Sequence, residues 1–208
     1  DHKSAGKGGV GPNTGGLGTI TPDPNLSPEE YLSIASAIIT PWFWGCEQEG
    51  IDFRGILYPG IMITEDGPKL LEFNARFGDT GAQTHLVRLE TDLVEIVDAS
   101  IDGWLTDIDI KWKQVSSVCV VLASEGYPGD SSGEKGKVIT GLEALKRYSN
   151  LKPFHAGTAL RDGNVVVNGG RVLGITAWAQ TLGVARSEAY RAANEIKFDG
   201  KKPQRCYA

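Results

Sequence analysis

The sequence predicts an α+β chain in which helices and antiparallel strands occupy separate stretches, ending in a small β-rich unit with one covering helix. Residues 55–77 read as two strand-like runs around Glu65-Asp66-Gly67-Pro68, the pattern of a hairpin. Tyr31, Ile34, Ala35, Ile38, Ile39 and Trp42 recur at helical spacing and form one apolar stripe. After about residue 110 the texture changes to short β-branched runs. A boundary within residues 107–114 therefore divides the chain into residues 1–110 and 111–208.

The elements follow in order. Residues 6–18, GKGGVGPNTGGLG, are glycine-rich and could bring backbone N–H groups against an anion. They match neither the P-loop nor the dinucleotide fingerprint, and composition alone favours a mobile surface loop. Ser27, Pro28 and Glu30 form a helix start with a capping box, and Pro41 should kink the last turns of that helix. The apolar stripe on it is read as core. In the hairpin, residues 55–63 form the first strand and 69–77 the return. Pro59 should impose a bulge or an edge. Residues 92–102 form a helix capped by Thr91 and ended by Gly103, with Leu93, Ile96, Val97 and Ile101 inward. Residues 117–123 and 171–177 are strands, and 160–167 is a hairpin about Arg161-Asp162-Gly163-Asn164. A last helix over 183–196 presents Ala185, Ala189, Ala192, Ala193 and Ile196 on one small-residue face.

Composition narrows the function. Of the 208 residues 40% are hydrophobic and 23% charged, with a net charge of −5. That balance argues against a general nucleic-acid or membrane-surface binder, and no apolar run is long enough to span a bilayer. Cys46, Cys119 and Cys206 are too far apart for a zinc motif and odd in number, so a reducing compartment is the default. Cys119 reads as a buried small hydrophobe. The chain begins with Asp and runs at once into the glycine-rich stretch, which suggests the C-terminal part of something longer.

The segment KLLEFNARFGD, residues 69–79, carries the most chemistry. With period two, Glu72, Asn74 and Arg76 share one strand face, and Leu71, Phe73, Ala75 and Phe77 the other. Carboxylate and amide oxygens suit a hard cation such as Mg²⁺, and an arginine fork suits phosphate. The same alternation also fits a half-buried strand with its polar face in water. Elsewhere the bland readings lead. His155 reads as structural, His85 as a helix-surface residue, Tyr127 as a packing residue in a turn, and Asp92, Glu95 and Asp98 as an exposed helix face.

The ordered series DHK, GPNTGG, LYPG, EFNARFGD, VCVVLASEGYPG, GKVITGL, FHAGT and GGRVLGITA resembles the phosphoribosylamine–glycine ligases, also called glycinamide ribonucleotide synthetases, of the ATP-grasp superfamily. The resemblance runs from Asp1 to about Arg205. It implies the second half of an ATP-grasp domain followed by the small β-rich C-terminal domain. It also implies a cytoplasmic enzyme of purine biosynthesis that joins glycine to 5-phosphoribosylamine using ATP, through a glycyl phosphate. It implies Mg²⁺ or Mn²⁺ on Glu72 and Asn74, and a catalytic Arg76 beside the transferring phosphate. Substrate-binding positions would be Asp1, Lys3, Asn13, Thr14, Gly15, Gly16, Gly78 and Asp79. The implied partners are the small substrates and an N-terminal portion of the same enzyme, with neither nucleic acid nor membrane. The chain departs from the family pattern at Lys7 and Gly9, at Thr80-Gly81-Ala82 and over 203–208, and two of these departures remove acidic groups. A non-catalytic binding module derived from such a ligase is the alternative reading.

Overall fold

A computed structural model describes residues 1–6 and 9–202. Lys7 and the 203–208 tail with Cys206 lie outside them. In chain order the elements are β1 (Gly18–Thr21), α1 (Pro28–Ile34), a π-helical turn (Ala35–Ile39), α2 (Thr40–Gln48), β2 (Tyr58–Thr64) and β3 (Gly67–Asn74). Then come α3 (Gly81–Leu86), α4 (Leu93–Asp102), β4 (Ser116–Ala123), β5 (Leu151–His155), β6 (Thr158–Arg161), β7 (Asn164–Val167), β8 (Arg171–Ala179) and α5 (Leu182–Glu195). The chain is α+β, and all its named strand pairs are antiparallel.

Two compact units divide these elements discontinuously. The first takes Asp1–Pro22, Asp79–Arg88 and the stretch from Lys113 onward; the second takes Asp23–Gly78 and Leu89–Trp112.

The first unit is built on a four-stranded sheet in the order β1-β4-β8-β5. On β4, Val118, Val120 and Leu122 enter the apolar core with Ile175 and Ala177 of β8. The alternate positions are also covered. Ser117 is fully buried and donates to Thr84 O in α3 at 2.7 Å, and Cys119 is 1% exposed. Burial pushes the Cys119 thiol up to about 12, as its reading as a small hydrophobe requires. With both faces covered, β4 is an almost unbroken apolar run. Ala185, Ala189, Ala192 and Ala193 of α5 are 0% exposed and lie in the same core, so small side chains let this helix approach the sheet closely. Thr181 caps α5 through Val184 N. The β6–β7 hairpin turns at Asp162-Gly163, both with positive φ, as an Asp-Gly turn should.

The second unit holds the β2–β3 hairpin, α1, α2 and α4. Ser27 and Glu30 form the expected capping box. The disturbance expected at Pro41 takes the form of the π-helical turn, in which Thr40 N–H bonds to Ala35 O ahead of the proline. The hairpin shifts register between Gly60 and Ile61, a bulge beside Pro59. Trp42 meets Phe53 edge-on at 4.7 Å and Phe73 at 5.8 Å, joining α2 to the hairpin.

Some expectations need correction here. The stripe read as core is mostly half-exposed: Ile38 is buried, but Tyr31 is 42% exposed. On α4, Ala99 is buried, whereas Val97 and Ile101, expected inward, are exposed. A two-stranded hairpin and short helices have too little area to cover one another. The cap of α4 is Asp92, not Thr91; Thr91 instead accepts from Lys111 N at 2.7 Å and ties the helix start to the strand-like segment after it. The short β1 and β5 were not anticipated as strands.

Two outcomes test this packing. Ala189→Leu forces a branched chain between α5 and the sheet and should cost about 2 kcal/mol in urea unfolding, while Leu160→Ala on the exposed hairpin should stay within about 0.5 kcal/mol. His85, on α3, is held below its ordinary 6.5 by burial first and by Arg88 second. The unfolded chain therefore takes up its proton first as pH falls. Stability should drop below the ordinary histidine range and level off beneath the folded pKa. His85→Leu should flatten the difference between urea midpoints at about pH 7.5 and about pH 5.5.

Candidate functional site

In the second unit the candidate cation ligands stand on β3. Glu72 pairs with Gly60 across the hairpin, and its Cγ would come 3.1 Å from a Cβ placed there. Asn74 pairs with Tyr58, and its Nδ2 donates to Tyr58 O at 3.3 Å. That bond commits the amide nitrogen inward and leaves Oδ1 as an oxygen donor. Glu72 forms no ion pair among the described residues. Two oxygen donors two residues apart on one strand fit a hard cation that completes its shell elsewhere. No group of three or more His, Cys, Asp and Glu side chains among the described residues could hold a metal unaided.

Arg76 does not continue that row. β3 ends at Asn74, and Arg76 lies in the bend that follows, with Nη1 donating to Phe77 O at 2.9 Å. Pure alternation missed the end of the strand because Ala75 and Phe77 keep the period in sequence while the backbone has left it. Gly78 is buried against the Tyr58 ring. A Cβ there would lie 2.4 Å from Tyr58 Cε1, so no other residue fits without moving the tyrosine.

The first unit gathers most of the other candidates. The glycine-rich stretch, expected as a loose loop, is stitched along its described length. His2 N bonds to Gly18 O, Ala5 N to Pro12 O, Thr14 N to Lys3 O and Leu17 N to His2 O. Asn13 bridges Ser4, and the Thr14 hydroxyl donates to Lys3 O at 2.7 Å and accepts from Gly16 N at 3.1 Å. Lys3 pairs with Asp1 at 3.0 Å. Gly16 has φ +105, and a Cβ on it would stand 2.9 Å from the Asp1 carboxylate, two independent reasons for glycine.

Two residues that sequence reasoning passed over, Arg171 and Gln83, hold this cluster together with Tyr127. Arg171, the first residue of β8, donates from Nη1 to Gly15 O at 2.8 Å, Gly16 O at 3.3 Å and Asp79 O at 3.1 Å. Its Nη2 pairs with Asp79 Oδ2 at 3.0 Å. Gln83 Nε2 donates to Asp79 Oδ1 at 2.7 Å. The Tyr127 hydroxyl accepts from Gly15 N at 3.1 Å, so the tyrosine read as packing in a turn also anchors the loop. A charged residue opening the apolar run RVLGITA was the available signal for Arg171.

The departure at Thr80-Gly81-Ala82 falls inside this unit. Thr80 is 2% exposed with its hydroxyl bonded to that of Thr19, and Gly81 is buried at the start of α3. His85 is half-buried rather than on the helix surface, and the exposed His155 has its Nδ1 3.0 Å from Thr158 Oγ1.

Comparison with known proteins gives these positions a context. The family model for the ATP-grasp (A) domain of phosphoribosylglycinamide synthetase matches residues 1–82, and the model for its C domain matches residues 117–205. Phosphoribosylamine–glycine ligase of Rhodopirellula baltica is 46% identical over 201 residues, which cover 96% of this chain and 46% of that protein. The trifunctional purine biosynthetic protein adenosine-3 of Homo sapiens is 44% identical over 96% of this chain and 20% of its own. The crystal structure of phosphoribosylamine–glycine ligase from Thermotoga maritima superposes with a TM-score of 0.84 at 34% identity, covering 100% of this chain and 50% of that one. N5-carboxyaminoimidazole ribonucleotide synthetase from the same organism gives 0.58 at 19% identity, a likeness of fold alone. The chain thus spans about half the length of the ligases it matches. With the model of the A domain met first and that of the C domain second, along one chain and in unbroken order, it belongs to the phosphoribosylglycinamide synthetase family.

Proposed function

We propose that the protein containing this chain ligates glycine to 5-phosphoribosylamine with ATP, giving glycinamide ribonucleotide in the cytoplasm. The match of both domain models, in order and alongside relatives named as this ligase, is the observation that carries the reading. The reaction would run in two transfers. The glycine carboxylate takes the γ-phosphoryl group of ATP, releasing ADP, and the phosphoribosylamine nitrogen then displaces phosphate from the acyl phosphate. Such chemistry needs positioning and charge stabilisation more than bond-making groups.

The residues supply those functions. Glu72 and Asn74 would hold Mg²⁺ or Mn²⁺, which when bound neutralises phosphate charge. The bond from Asn74 Nδ2 to Tyr58 O favours an amide orientation in which Oδ1 is the free group. Arg76 beyond the strand end offers a guanidinium for a phosphoryl oxygen. Asp1, Lys3, Asn13, Thr14, Gly15, Gly16, Gly78 and Asp79 serve substrate binding. Asp79 suits a cationic amine, and the loop of residues 13–16 suits polar groups of the sugar phosphate. No helix among the described residues is long and apolar enough to cross a membrane.

The test is glycine- and phosphoribosylamine-dependent ADP release by the full-length protein. Glu72→Gln should lower kcat at least about a hundredfold while circular dichroism stays unchanged. Near-normal turnover of that variant at limiting Mg²⁺ would remove Glu72 from the metal site. The 208-residue chain by itself should release no ADP in response to glycine, because an acyl phosphate needs a water-excluding pocket built from both halves of the enzyme. Full-length protein that binds ATP without turnover would favour the non-catalytic module instead.

A further inference from the structure

Asp79 is held more tightly than a half-exposed carboxylate needs to be. Its side chain is 46% accessible, yet Oδ2 takes Arg171 Nη2 at 3.0 Å and Oδ1 takes Gln83 Nε2 at 2.7 Å. Each carboxylate oxygen therefore has a donor of its own, while the side chain keeps nearly half of its surface accessible.

The two donors are committed in different ways. The Arg171 side chain is 23% accessible and also gathers the carbonyls of Gly15, Gly16 and Asp79 itself. One guanidinium nitrogen faces the three carbonyls while the other holds the carboxylate, so the contacts are spread over two nitrogens where an ammonium has one. Gln83 bonds to Asp79 through its nitrogen, while its Oε1 is buried and has no partner among the described atoms. The amide is thus committed to Asp79 through its nitrogen, with no protein partner for its oxygen among the described residues.

The placement also crosses the two family models. Arg171 lies within the residues matched by the C domain, and Asp79, Gly15 and Gly16 within those matched by the ATP-grasp domain. The register shift between Leu122 and Ala123 brings Ala123 opposite Arg171 at the start of β8, and such a shift re-aims the side chains beside it.

We propose that Arg171 and Gln83 are positioning residues that orient the Asp79 carboxylate, with Gly15 and Gly16, toward the amine substrate. This rests on the ligase reading above. Neither residue touches substrate; both act through Asp79, and Arg171 couples the C-domain sheet to the glycine-rich loop.

The test is a double-mutant cycle in the full-length protein with KM measured separately for ATP, glycine and phosphoribosylamine. Arg171→Met and Asp79→Asn should each raise the KM of an amine substrate about tenfold, the loss expected for a charge-assisted bond, and leave that for ATP within about twofold. The double variant should be no worse than Asp79→Asn alone, because the two residues act as one unit. Arg171→Lys should recover part of the loss. Gln83→Leu, which removes one bond to Asp79 and the unpaired oxygen with it, should raise the same KM by a smaller factor without lowering Tm. It keeps the question open to measurement if Arg171→Met does not fold. Additive effects in the cycle, or equal rises in all three KM values accompanied by a fall in Tm, would overturn the positioning role alone. Wild-type protein with no glycine-dependent ADP release would overturn the ligase reading and the positioning role with it.

Discussion

Strand β4 is covered on both faces, and the larger unit is organised by that constraint. One face must meet a close-packing helix, which is why α5 presents alanines at 185, 189, 192 and 193 with no accessible surface. The other face must satisfy buried polar groups, which Ser117 does by donating to Thr84 O on α3. Once α3 is fixed there, Asp79 and Gln83 are held just before and within it. β8, paired along β4, delivers Arg171 to the same place. The polar cluster is thus a consequence of how a double-sided strand is covered.

The smaller unit is organised differently. Its hairpin, helix pair and α4 bury little, and Phe43, Trp44, Met62, Ile63, Leu71 and Phe73 remain exposed. Local interactions fix its details: the Ser27–Glu30 capping box, the register shift beside Pro59, and the Tyr58 ring over Gly78. Glu72 and Asn74 owe their common face to strand pairing and a single amide bond, so they are placed by backbone geometry rather than by a packed core.

Much of this was legible in sequence wherever local chemistry decides. The capping box, the Asp-Gly hairpin, the alanine face of α5 and the apolar run of β4 each carry their cause within a few residues. Burial on α1 and α4 was misjudged, because a stripe shows which face is apolar and not whether anything covers it. Arg76 was placed one step too far along β3, since alternation in composition outlasted the strand. Arg171 and Gln83 escaped notice, and Tyr127 was read only as packing, for a different reason: their partners, apart from the nearby Asp79 of Gln83, lie far away along the chain. Family resemblance located Asp79 and the glycine pair, but the residues that hold them emerged only from distances.

The bond from Arg171 to Gly15 O spans 156 positions of sequence. During synthesis the glycine-rich loop leaves the ribosome long before the strand that anchors it, and the whole smaller unit is made in between. Closing a contact of such separation carries a loop-closure entropy cost, which is smaller once other pairings have shortened the loop. The loop therefore spends the interval without its guanidinium, and a chain that ended between Asp79 and β8 would keep the loop and Asp79 but lack the side chain that joins them. Within this cluster the residue that joins the other members is the last to be translated.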